Sequence, residues 1–140
     1  MSNIFTNFIT ATTTTSSNRK NYINLATGLY LDSNNVGNVC TETGNGGEYQ
    51  QWQIILNDIS GYIQLKNVAT GKCLESNSLD KVHAIDCQSS EFQKWHLTNN
   101  NEFVNRATYR CLDSNHQKQV YTLICNGGDF QKWTSNDSFY

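Results

Sequence analysis

Three times along this chain the same two phrases recur at the same distance. The tetrapeptides Leu31-Asp32-Ser33-Asn34, Leu74-Glu75-Ser76-Asn77 and Leu112-Asp113-Ser114-Asn115 precede Tyr49-Gln50-Gln51-Trp52, Phe92-Gln93-Lys94-Trp95 and Phe130-Gln131-Lys132-Trp133, and the acid-to-Trp interval is 20 residues each time. A fixed internal period marks one small unit copied and packed against itself. With 140 residues in all, the chain has the size of one ordinary domain, so three units of about 40 residues must share a single core.

The units run over about 22–61, 62–101 and 102–140 and together form one domain, 22–140. Ahead of them, 1–21 carries scattered apolar residues (Ile4, Phe5, Phe8, Ile9) and an unbroken hydroxyl run from Thr12 to Ser17, without a basic start. It reads as a flexible Ser/Thr-rich lead-in rather than a cleavable signal.

Short apolar stretches within each unit are separated by turns, as in Tyr22-Ile23-Asn24-Leu25, Ala26-Thr27-Gly28 and Leu29-Tyr30-Leu31, while Ile63-Gln64-Leu65-Lys66-Asn67-Val68 alternates before Ala69-Thr70-Gly71. No long segment carries a 3.6-residue apolar stripe, and the one helical turn expected per unit falls at the step before each Gln-x-Trp. Three copies of a four-strand unit around a pseudo-threefold axis describe an all-β fold, the β-trefoil. Its expected core layers are Leu31, Leu74 and Leu112; Val39, Val82 and Val120; and Trp52, Trp95 and Trp133.

Ten basic and twelve acidic residues, with a pI near 5.8, offer phosphates no dense positive surface, which argues against nucleic acid as a partner. No apolar run approaches the roughly 20 residues of a membrane span, so no membrane insertion is expected. Charged residues are only 16% of the chain, and abundant Asn, Gln, Ser and Thr suit either a neutral hydrogen-bonding ligand or plain solubility.

Aligned on the repeat, Cys73 matches Cys111 and Cys87 matches Cys125, each pair 14 residues apart. In the first unit both positions change together, to Tyr30 and Gly44. This pattern predicts disulfides Cys73–Cys87 and Cys111–Cys125, and with them an oxidising, extracellular setting; the alternative is four reduced core thiols. Cys40 is left over.

The Gln-x-Trp triple, together with the Cys-Leu-acid box and its cysteine spacing, resembles the ricin-B or R-type lectin family of β-trefoils. Cys111-Leu112-Asp113-Ser114-Asn115, Val120-Tyr121-Thr122-Leu123 and Cys125-Asn126-Gly127-Gly128-Asp129-Phe130-Gln131-Lys132-Trp133 are similar to a repeat of its mannose-binding, actinohivin-type members. The resemblance spans Tyr22 to Trp133.

It implies a carbohydrate site in up to three units. Sugars are held by a carboxylate on two adjacent hydroxyls, an amide that both donates and accepts, and an apolar face against ring carbons. Carried across, the third unit has the complete set in Asp113, Asn126, Tyr121 and Leu123. The first keeps Asp32 and Asn45 but has Cys40 and Glu42 where the third has Tyr121 and Leu123. The middle unit offers Glu75, His83, Ile85 and Gln88. Where galactose-binding members stack an aromatic ring, this chain has Leu123 and Ile85, which predicts an aliphatic wall. The acid before Ser-Asn is equally a turn-forming residue, and that reading stands beside the ligand role.

No catalytic residue is expected, because Asp32, Glu75 and Asp113 are related by the threefold repeat and would not converge as a hydrolytic pair. His83, His96 and His116 show no metal spacing, and neither metal nor cofactor is expected. Two functional readings follow. One is a secreted non-catalytic lectin for glycans or glycoproteins with galactose- or mannose-type sugars; the other is a receptor-binding module of a larger toxin or glycosidase assembly.

Overall fold

A computed structural model describes residues 18–56 and 61–137. Twelve strands run in chain order: β1 Arg19–Asn24, β2 Tyr30–Ser33, β3 Val39–Glu42, β4 Trp52–Leu56, β5 Ile63–Asn67, β6 Cys73–Ser76, β7 Val82–Ile85, β8 Trp95–Leu97, β9 Phe103–Asn105, β10 Cys111–Ser114, β11 Val120–Leu123 and β12 Trp133–Asp137. They form a β-trefoil. In each unit the second and third strands pair as an antiparallel hairpin, while the first and fourth belong to a shared wall ordered β9-β8-β5-β4-β1-β12. Strand β1 begins at Arg19, so 19–21 of the expected lead-in belong to the sheet; residues 1–17 of it lie outside the described residues.

The two repeated phrases are tied together by direct bonds. Trp52, Trp95 and Trp133 each donate the indole N–H to the carbonyl of Leu31, Leu74 or Leu112, at 3.0, 3.0 and 3.1 Å. These Trp and Leu side chains are fully buried, as expected of core layers. The valine layer is only partly core, with Val120 buried and Val39 and Val82 half-buried against it. A fourth layer, missed in the sequence, is Tyr22, Leu65 and Phe103, all buried; Tyr22 and Phe103 pack edge to face with centroids 5.0 Å apart. Single-turn 3₁₀ helices at Glu48–Gln50, Glu91–Gln93 and Asp129–Gln131 occupy the expected helical step.

Two closed rings of hydrogen bonds lock the units to one another. In the first, buried Asn24, Asn67 and Asn105 donate their amides to the carbonyls of Phe130, Tyr49 and Phe92, at 2.8, 2.9 and 2.9 Å. Asn24 thereby ties the start of the domain to its end. In the second, the hairpin tips Gly37, Asp80 and Lys118 accept from Ala84, Thr122 and Thr41 of the adjoining unit at 2.8, 3.1 and 3.0 Å. The tips are shaped by Asn34, Asn77 and Asn115, whose side-chain carbonyls accept from backbone N–H groups two and four residues on. The turn former of the tetrapeptide is therefore its Asn rather than its acid.

Both disulfides are present, Cys73–Cys87 and Cys111–Cys125. Where the first unit lacks one, the Tyr30 ring fills the space: a Cβ on Gly44 would come within 2.6 Å of that ring. This explains why Tyr30 and Gly44 replace the two cysteines as a pair.

Asp80 adds a polar tie between the second and third units. Arg110 reaches its carboxylate with Nε at 2.6 Å and Nη2 at 3.0 Å, and the Thr122 hydroxyl donates at 2.9 Å. The Arg110 hydrogen bonds hold the Asp80 carboxyl below its ordinary value, against partial burial. A depressed carboxylate contributes stability in full above its unfolded value, near ~3.9, and loses it as pH falls through the folded value. Both side chains are about a third exposed, which limits the contribution to about 1 kcal/mol. Asp80→Asn is expected to lower the thermal midpoint by roughly 2–5 °C at pH 7, with the gap to the native chain closing as pH falls below the ordinary carboxylate range. A gap unchanged at low pH would assign the loss to something other than the charge.

Candidate functional site

In every unit the Gln of Gln-x-Trp grips the acid. The amides of Gln50, Gln93 and Gln131, all fully buried, donate to Asp32 at 2.8 Å, Glu75 at 3.2 Å and Asp113 at 2.8 Å. The same amide nitrogens donate to the carbonyls of Thr43, Asp86 and Ile124, each at 3.0 Å. Their carbonyl oxygens accept the backbone N–H of Asn45, Gln88 and Asn126 at 3.0, 2.9 and 2.9 Å. One buried amide thus fixes the acid on the second strand and the polar residue of the loop beyond the third strand at a set separation.

In the third unit this ties the Asp113 carboxylate to the Asn126 backbone, with Tyr121 directly opposite Asp113 and Leu123 opposite Cys111 in the hairpin register. The second oxygen of Asp113 accepts the Ser114 N–H at 2.7 Å, and the Tyr121 hydroxyl donates to the Ser114 carbonyl at 3.2 Å. Burial, and then the Asp113 charge, push the Tyr121 hydroxyl pKa up, keeping it protonated. Asn126 spends its carbonyl on Gly128 N–H at 2.8 Å, which leaves its NH₂ outward as a donor. Each carboxylate oxygen retains a lone pair, and so does the Tyr121 oxygen. Asp113 itself is buried, 3% exposed, so what the face presents to solvent is the Tyr121 ring edge, the exposed Asn126 amide and Leu123, 37% exposed, as an apolar wall.

The first unit repeats the frame with Asp32 and Asn45, whose carbonyl accepts from Gly47 at 2.8 Å. Cys40 stands opposite Asp32, and Glu42 is bound to Lys118 of the third unit at 2.9 Å. Asp32 keeps 8% of its surface open against 3% for Asp113. In the middle unit His83 Nε2 lies 2.8 Å from the second oxygen of Glu75. The carboxylate that would meet a diol is therefore engaged by its own hairpin partner.

Two hollows open between units rather than within them. One, of about 440 Å³, has Val36, Gly37 and Asn38 on one side and His83, Ile85 and Asp86 on the other. The second, of about 450 Å³, lies between Asp80 and Lys81, the Cys40 strand, and Tyr121 beside Lys118. Tyr121 reaches this hollow, whereas Asp113, Leu123 and Asn126 are not in its wall. The tips of the first and second units thus add walls beside His83 and Tyr121 of the next unit, a contribution that spacing within one unit does not reveal.

Asp32, Glu75 and Asp113 are each held by the Gln of their own unit and do not meet. Among the described residues no group of three or more His, Cys, Asp and Glu is placed to hold a metal ion. His96 bonds the Gly61 carbonyl at 2.8 Å, and His116 packs on Phe130.

No curated protein matches the chain by sequence. Among solved structures, the designed threefold-symmetric protein ThreeFoil is 23% identical over 84% of this chain and 97% of its own, with a TM-score of 0.76. SeviL, solved bound to asialo-GM1 saccharide, is 17% identical over 87% of this chain and 98% of its own, TM-score 0.74. A GlcNAcα1-4Gal-releasing endo-β-galactosidase from Clostridium perfringens is 19% identical over 84% of this chain, which spans only 32% of that enzyme, TM-score 0.76. At such identities the likeness establishes the fold alone. The family assignment comes from the sequence match over residues 19–134, by which this chain belongs to the ricin-type β-trefoil lectin domain family.

Proposed function

We propose that the protein is a secreted, non-catalytic lectin that binds galactose- or mannose-type glycans through shallow faces on its repeats, with the third unit carrying the fullest set of groups. The observation that carries this reading is the match to the ricin-type lectin domain over residues 19–134, to which the buried Gln131 amide adds a fixed tie between the Asp113 carboxylate and the Asn126 backbone. That tie sets the loop carrying the exposed Asn126 amide against the second strand, a fixed frame of the kind a hydrogen-bonding sugar site requires. The two disulfides favour an extracellular site of action. Individually weak sites on one chain would gain through simultaneous engagement of a branched or clustered glycan.

A second reading, the binding module of a larger toxin or glycosidase, is favoured by one observation: in the endo-β-galactosidase the matching region is about a third of the chain. A glycan array separates the two. Signal on galactose- or mannose-terminated glycans, inhibited by the free sugar, is expected; an array silent at high protein concentration would overturn the lectin reading and leave a protein receptor as the target.

A further inference from the structure

The threefold repeat supplies an internal control for each position, and the third unit puts a long side chain at positive φ twice where the first has Gly: at Lys118 (φ 68°), whose ammonium is bound to Glu42 at 2.9 Å, and at Tyr109. Gly28 and Gly71 precede the second strands of the first two units with φ of 72° and 73°; the equivalent Tyr109 adopts φ 61°. A bulky side chain there is a conformational outlier. The Tyr109 side chain gains nothing internal in return: the residue is 75% exposed, and neither ring nor hydroxyl has a partner among the described residues. An outlier retained without internal compensation points to a role outside the fold.

Its surroundings depart from the repeat in the same direction. Where the first two units have Glu42-Thr43 and Ile85-Asp86, the third has Leu123-Ile124, with Ile124 66% exposed. The Tyr109 carbonyl lies 3.9 Å from the Cys125 sulfur, and Cys125 immediately precedes Asn126. The Tyr109 backbone, Leu123 and Ile124 therefore all lie beside the Cys111–Cys125 bridge, three exposed apolar residues at the rim of the candidate face.

We infer that Tyr109 is a specificity-determining residue, an aromatic platform on which the second sugar ring of an oligosaccharide packs while the first engages Asp113 and Asn126. The inference rests on the lectin reading above. A saccharide is the occupant because the rim is continuous with the hydrogen-bonding face, and an exposed ring with a polar tip suits the C–H face of a pyranose.

The test is titration of mannose, galactose, mannobiose and lactose into the native chain, Tyr109→Gly and Tyr109→Phe. Tyr109→Gly is expected to raise the thermal midpoint by relieving the backbone, to weaken the bound disaccharide about fivefold, the size of one aromatic packing contact, and to leave its monosaccharide unchanged. Tyr109→Phe is expected to retain disaccharide affinity. Equal disaccharide affinity in native and Gly chains, or parallel losses for both sugar lengths, would overturn the platform role. So would a loss of self-association on Tyr109→Gly, which would make the rim a contact between copies. A native chain silent to all four sugars overturns the lectin reading itself, a result distinct from native binding that the Gly variant leaves intact.

Discussion

Asp113→Asn is expected to abolish sugar binding at the third unit, an affinity loss of about a hundredfold or more. A diol held on a carboxylate makes two charge-assisted hydrogen bonds, each worth roughly 1.5–3 kcal/mol when the partner is left unsatisfied, and 1.4 kcal/mol is tenfold. The substitution keeps the shape but removes the charge and one acceptor. The two oxygens of Asp113 already receive Gln131 and Ser114 N–H, so one of these donors also loses its partner, at about 1–2 kcal/mol of stability. The protein must therefore be shown folded, by its thermal midpoint and by the near-ultraviolet signal of its buried tryptophans. Glu75→Gln in the middle unit is the comparison, and it should change binding little because His83 already engages that carboxylate. Titration calorimetry with the strongest glycan on the array decides the matter. Native-like affinity and stoichiometry in folded Asp113→Asn would reduce Asp113 to a structural acceptor for Gln131 and move the site elsewhere.

What could be read in advance and what could not divides along a physical line. The acid-to-Trp interval made the trefoil legible because the interval is a bonding distance in disguise: Gln131 returns to Asp113 and Trp133 to Leu112 across the same unit. The cysteine spacing was legible for the same reason, since both partners lie inside one hairpin. Contacts between units left weaker traces. Asn24, Asn67 and Asn105 recur in register ahead of Ala26-Thr27, Ala69-Thr70 and Ala107-Thr108, but an Asn before a turn has an ordinary local role, so the recurrence does not by itself reveal a contact between units. Tyr22, Leu65 and Phe103 were hidden by chemistry, being three different residue types in one layer. The hollows beside His83 and Tyr121 were not legible at all, because they depend on which neighbouring hairpin tip leans over which face. The openness of the acids also departs from the ranking by residue type, since the unit with the fullest set of groups has the more covered carboxylate.

Reduction of both disulfides is expected to cost most of the stability of the fold. Each closes a 14-residue separation, and removing such a cross-link from the unfolded ensemble is worth about 3 kcal/mol in the chain-entropy description. Two together amount to about 6 kcal/mol, against typical domain stabilities of roughly 5–15 kcal/mol. The loss should be local to the second and third units, because the first closes the same end of its hairpin with the Tyr30 ring over Gly44. Cys111→Ala with Cys125→Ala, and separately Cys73→Ala with Cys87→Ala, should each lower the thermal midpoint by about 6–15 °C, and reductant should then affect only the remaining bridge. Alkylation counts the thiols: one label, on Cys40, in the unreduced denatured chain, and five after reduction. In the folded protein Cys40 should react slowly, since burial and then the charges of Asp32 and Glu42 push its thiol pKa up and keep thiolate scarce. The same scarcity slows its attack on either disulfide while the chain is folded, so holding the unreduced protein below its thermal transition at neutral pH should not scramble the pairing. More than one label without reductant, or a thermal midpoint indifferent to complete reduction, would remove the bridges as the source of the fold's stability.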